Sequence, residues 1–184
     1  MRLQKREGGF SLIETIIAMV ILTVGLLGAL SALTWGMIYV QEAEKRTQAK
    51  QIGNSIIETI FAVRDLRTKD GIAINGWKTV QTAGADSPGV FVDGWYPVRE
   101  NQGADAIYGT ADDSCAATSS CNSNPIVTGF DRKIEITDIT QNNAVFKRQI
   151  DVTVRYFIGT ITRQEKISTI IACLPREDLP CDEL

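Results

Sequence analysis

The chain has 184 residues, 44% hydrophobic and 22% charged, with a formal net charge of −3, which sets aside the disordered, collagenous and low-complexity classes. Its 19 basic against 22 acidic side chains leave no cationic surplus for broad nucleic-acid binding. The absence of histidine removes the commonest general base and metal ligand, every Ser-His or Cys-His nucleophile arrangement, and with them most enzyme readings.

The first nine residues hold Arg2, Lys5, Arg6 and Glu7, a local excess of positive charge, and from Thr15 to Gln41 there are 27 consecutive residues without a charge. A helix of that length spans a bilayer, which needs about 20 apolar residues. The basic start places the N-terminus in the cytoplasm and everything after Gln41 outside. A secretory signal peptide and a plain signal anchor are the two plain alternatives. The first has a shorter apolar stretch and a small-residue cleavage site after it. Both leave Glu14 unexplained, because an ionised carboxylate in lipid costs about 2.5–3.5 kcal/mol unless it is partnered.

Gly8-Gly9-Phe10-Ser11-Leu12-Ile13-Glu14 resembles the prepilin signature: a short basic leader ending in glycine, then an aromatic residue, with a carboxylate at the fifth place after the cut. The resemblance implies that a membrane prepilin peptidase cleaves after Gly9 on the cytoplasmic face and methylates the new amino terminus at Phe10, so that the apolar helix is retained. Elementary electrostatics points the same way. A buried ammonium at Phe10 persists only when paired, and Glu14 is its negative partner on a neighbouring subunit. Both groups lie at a helix start, where the dipole favours the carboxylate and disfavours the amine.

Beyond Gln41 the chain turns polar without a break, and Ile52, Ile56, Ile60 and Val63 keep one helical stripe. These residues predict one continuous helix over 10–67, roughly 85 Å long, ending near Lys69-Asp70-Gly71 with Gly71 as left-handed cap. Its first half, 10–40, is the transmembrane or assembly half, and 41–70 is the amphipathic half. Residues 71–129 are rich in Gly, Asn, Asp, Ser and Thr and read as long variable loops, with short strands at Val90-Phe91-Val92 and Gly94–Val98. Ile134, Ile136 and Ile139, then Ile150, Val152, Val154 and Tyr156, alternate with polar residues. With a turn at Gly159 and a returning strand over Thr160–Ala172, they predict a three-stranded antiparallel meander over 130–174, followed by a tail over 175–184. The expected fold is α+β: a long N-terminal helix packed on a small antiparallel sheet with long loops, the folded part being one domain of about 120 residues.

Asp105, Asp112 and Asp113 crowd into one loop whose oxygens suit a hard cation such as Ca²⁺; a solvated acidic turn is the alternative, and no other cofactor is expected. The spacing of Cys115, Cys121, Cys173 and Cys181 favours disulfides over zinc and fits an oxidising compartment. Pairing Cys115 with Cys121 and Cys173 with Cys181 closes small loops, with crossed pairing as the rival. Lys147, Arg148, Arg155, Arg163 and Lys166 form either a solvated sheet face or a basic stripe for DNA. Trp77, Trp95 and Tyr96 pack beneath the loops or contact a partner or glycan.

Ile21-Leu22-Thr23-Val24-Gly25-Leu26-Leu27-Gly28 is similar to the N-terminal helix of the PilV-type minor pilins, also called type IV pilus modification proteins. The resemblance implies a non-enzymatic minor pilin with prepilin peptidase, other pilins and an inner-membrane assembly platform as partners. It would be held in the inner membrane with its body in the periplasm and then moved to the pilus, with no nucleic acid expected. A type II secretion pseudopilin and an anchored adhesin or DNA receptor are the alternatives.

Overall fold

A computed structural model describes residues 11–66, 68–69, 72–73, 76–84, 87–114, 124–141 and 144–173. Ser11 is a favoured residue at the position before a helix, and it precedes α1 (Leu12–Asp65). Glu14 follows three places later, completing the S-x-x-E pattern of a capping box. The Ser11 carbonyl accepts from the amides of Glu14 at 3.0 Å and Thr15 at 3.2 Å. The chain divides into two compact units, residues 1–43 and 44–184, and α1 contributes to both.

In the first unit every residue from Ser11 to Gln41 is exposed. Leu12, Leu22 and Leu27 are each more than 60% open. An apolar surface of this extent needs lipid or neighbouring helices to cover it. The hydroxyls along it are already satisfied: Thr15, Thr23, Ser31 and Thr34 donate to the carbonyls of Leu12, Val20, Leu27 and Leu30 at 2.8–3.0 Å. Such back-bonding is what an apolar surrounding demands of a polar side chain.

In the second unit α1 buries Ala49, Gly53, Ile56, Ile57, Ile60 and Val63 along one stripe. They meet a four-stranded antiparallel sheet in the order β3 (Tyr96–Arg99), β4 (Ile126–Gln141), β5 (Ala144–Ile158) and β6 (Ile161–Ala172). Phe130 and Ile134 of β4, Ile150, Val152, Val154 and Tyr156 of β5, and Ile171 of β6 face the same core. Gly53 lets the helix come close: a Cβ there would stand 2.6 Å from Ile167 Cδ1. Gly159, at φ 58°, begins the two-residue hairpin between β5 and β6.

Three features differ from the sequence expectation. The helix ends at Asp65 rather than near Lys69. Leu66 turns its amide onto the Val63 carbonyl (3.1 Å), and the Gly76 amide donates to the Leu66 carbonyl (3.2 Å). Gly76 sits so close to the helix end that a Cβ would lie 2.6 Å from the Arg64 carbonyl oxygen. A distant glycine therefore caps the helix, while β1 (Thr68–Lys69) and β2 (Ile72–Ala73) form a separate small ladder; Gly71 lies outside the described residues. Second, the sheet gains a fourth strand, β3, which pairs Tyr96 with Arg132 and Pro97 with Asp131, so β4 begins at Ile126. Val90–Val92 is no strand: Phe91 makes only an isolated bridge to Thr82, behind the one-turn helix α2 (Gly76–Thr79). Third, Ile139 is out of phase with Ile134 by an odd number of residues and faces outward, 37% exposed.

Candidate functional site

Glu14 lies in the first turn of α1, the only charged side chain between Leu12 and Gln41. Its side chain is exposed, and among the described residues it has no hydrogen-bond or ion-pair partner. The backbone at the helix start satisfies itself through Ser11, which leaves the carboxylate free to accept from another molecule. Gly8, Gly9 and Phe10 lie outside the described residues.

In the second unit the Asp105–Asp113 loop closes on itself. Asp105 Oδ1 accepts from the Ile107 amide at 2.9 Å. Asp112 accepts from the amides of Ala104 (2.7 Å) and Asp105 (3.3 Å) and, at 2.6 Å, from the Thr110 hydroxyl. Burial alone would raise the Asp112 carboxyl, but these donors outweigh it and hold the group below its ordinary value. Asp113 turns inward, only 1% exposed, and meets Arg132 Nη2 at 2.8 Å, with the Gly109 amide at 3.1 Å from both its oxygens. Burial raises Asp113 and lowers Arg132 despite their mutual attraction. The three aspartates thus share a loop, but Asp113 serves as the counter-ion that pins that loop to β4. Among the described residues no group of three or more Asp, Glu, Cys or His side chains is gathered to hold a metal ion.

A cleft of about 310 Å³ opens between α1 and the β3–β4 pair, walled by Ile52, Val98 and Phe130 with Tyr108 and Arg132 at its edge. Arg132 Nη1 is sealed from solvent without a partner. It therefore offers nothing to a ligand in the open part of the cleft, and it carries a desolvation cost of roughly 1–3 kcal/mol.

The family model for the prokaryotic N-terminal methylation motif matches residues 4–30. The chain begins with a prepilin-type methylation motif. The matched segment contains Gly8, Gly9, Phe10 and Glu14 and much of the exposed apolar stretch of α1, which is long and apolar enough to cross a membrane. Neither the curated proteins nor the solved structures contain a match to it.

Elsewhere in the chain, Cys173 is disulfide-bonded, and its amide donates to the Phe146 carbonyl at 2.8 Å, tying the end of β6 to the start of β5. Cys115, Cys121 and Cys181 lie outside the described residues. The five basic residues of the strands do not form one stripe. Arg148 shares strand parity with Ile150 and Val152 and is fully buried. Its guanidinium lies 4.3 Å from the Trp77 ring, donates to the Trp77 carbonyl, and meets Asp138 at 2.7 Å. Arg155 and Lys166 occupy the opposite face, each paired with an aspartate: Asp131 at 2.6 Å and Asp151 at 3.0 Å. Trp77 is core, as expected, whereas Trp95 stays 38% exposed with Arg155 stacked on its ring at 4.4 Å.

Sequence reading missed the buried roles of Arg132 and Arg148. The signal was present, because each falls on the core parity of its strand, two residues from Ile134 and Ile150 respectively. A charge at a core position of an alternating strand calls for a buried partner.

Proposed function

We propose that the chain is a minor subunit of a type IV pilus. It is cleaved after Gly9, N-methylated at Phe10, held in the inner membrane with its body in the periplasm, and assembled by packing of its N-terminal helix. The observation that carries the reading is the Glu14 carboxylate, without a partner among the described residues, at the start of a helix that is apolar and exposed as far as Gln41. Once the leader is removed, the sequence holds no Lys or Arg before Lys45, so the ammonium at Phe10 of an adjacent copy is the cation suited to neutralise it. The uninterrupted helix from Leu12, with no proline in it, and the Ile21–Gly28 run favour a minor subunit over the main building block.

Mass spectrometry of the native protein is expected to find a chain beginning at N-methylated Phe10, and a chain retaining Met1 would refute the processing step. Glu14→Gln keeps a capping-box residue while removing the charge. It should be cleaved and methylated normally yet enter filaments poorly. Normal incorporation would rule out the pairing role. Deleting the gene should reduce surface pili and leave protein secretion intact; the reverse phenotype would assign the subunit to a secretion pseudopilus.

A further inference from the structure

We propose that Trp35 and Tyr39 seat the outer end of the apolar stretch of α1 in the headgroup layer of the bilayer, which places Glu14 at the opposite interface instead of inside the hydrocarbon. Trp35 and Tyr39 stand four residues apart on one helical face, 62% and 65% exposed, just before the first charges at Glu42 and Glu44. Tryptophan and tyrosine prefer this layer because each joins a ring that leaves water to an N–H or O–H that does not. Glu14 lies 21 residues before Trp35. At 1.5 Å per residue the separation is about 31 Å, and an ordinary helix tilt of roughly 20° brings it to about 30 Å, the thickness of the hydrocarbon core.

Between the two ends, every Thr and Ser hydroxyl is turned back onto its own helix, as immersion requires. The helix therefore works as a ruler with a polar mark at each end. Waiting in the membrane, the subunit keeps the Glu14 carboxylate hydrated among headgroups, so it needs no partner there. The demand for a counter-ion arises only when the helix leaves the lipid for a dry packing of helices. Pairing thereby discriminates assembled from unassembled subunits without opposing membrane storage.

The inference rests on the membrane-anchored reading, and its test separates the two. The full chain is placed in phosphatidylcholine vesicles, and the emission of Trp35 is isolated as the difference between the parent and Trp35→Phe. Lipids brominated near the headgroup end of the acyl chain should quench it at least about twofold more than lipids brominated near mid-bilayer. In Trp35→Phe, a tryptophan introduced by Leu26→Trp lies about 13 Å deeper along the helix and should show the opposite order. A nitroxide on Glu14→Cys should be relaxed by an aqueous nickel chelate more than by oxygen. Trp35 quenched chiefly from mid-bilayer, or a position-14 label reached only by oxygen, would overturn the ruler while leaving the anchor intact. Failure of every brominated lipid to quench either tryptophan would overturn both.

Discussion

Replacing Arg132 with methionine tests the loop anchor most directly. Arg132 and Asp113 are each 1% exposed and meet at 2.8 Å; Arg132 also donates to Ser114 Oγ at 3.0 Å. In Arg132→Met the Asp113 carboxylate stays sealed with only the Gly109 amide and the Ser114 hydroxyl for company. Breaking a buried pair from one side costs about 3–5 kcal/mol. For a body of this size, that lowers the thermal midpoint by on the order of 10–20 °C. Arg132→Met/Asp113→Asn removes both charges and also the orphaned Nη1, so it should recover at least about 2 kcal/mol of the loss. The penalty also has a pH signature. Asp113, already raised by burial, moves further up without its cation, so the stability held by its protonated form is present at low pH and lost as pH rises. The gap between parent and Arg132→Met should thus widen from pH 5 to pH 8. Circular-dichroism melts of the full chain in detergent measure all of this. A single variant that melts within about 3 °C of the parent at pH 8, or a double variant no better than the single, would refute the reasoning.

Two glycines separate tolerable from intolerable crowding. Gly53→Ala crowds only the flexible tip of Ile167, with Val154 at ordinary contact distance, and gains helix propensity, so its stability should stay within about 1 kcal/mol of the parent, whereas Gly76→Ala strikes backbone carbonyls at the helix end and should cost about 1–3 kcal/mol, both read from denaturant midpoints. Asp151 is held below its ordinary value first by the Ser168 hydroxyl and then, against burial, by Lys166 and Gln149, and Asp112 is lowered as well. Both contribute stability above the ordinary carboxylate value of 3.8 that is lost as pH falls through their folded values. Acid melts below pH 4 should therefore flatten in Asp151→Asn, and an unchanged acid slope would count against it. Peptide mapping without reduction should find Cys173 in a disulfide-linked peptide, and a free Cys173 thiol would contradict the fold at the end of β6.

Signals carried by near neighbours in the chain were readable from the residues alone. The apolar run, the stripe at Ile52, Ile56, Ile60 and Val63, and the alternation from Ile150 to Tyr156 each express one local periodicity and became one element. The leader motif was readable for the same reason, since Gly8, Gly9, Phe10, Ser11 and Glu14 fall within seven residues. Of the five strand cations only Arg148 misled, because composition shows a charge but not the face on which it ends. The helix end misled because α1 stops at Asp65 and Gly76, ten residues beyond Leu66, closes onto it, a contact that no local pattern announces.

By itself the sequence determined that this protein has a prepilin-type basic start, a lipid-length apolar stretch with Glu14 as its solitary charge, and an α+β body built on antiparallel strands. These follow from hydrophobic period and charge, which act along the chain. Only the tertiary structure decided that Asp113 is a counter-ion for Arg132, that Arg148 lies under Trp77, that β3 joins the sheet, and that Gly53 admits Ile167. Each of these depends on groups 19 to 114 residues apart meeting in the folded body, where a buried charge without a partner is too costly to persist and neighbours fix the space each side chain has.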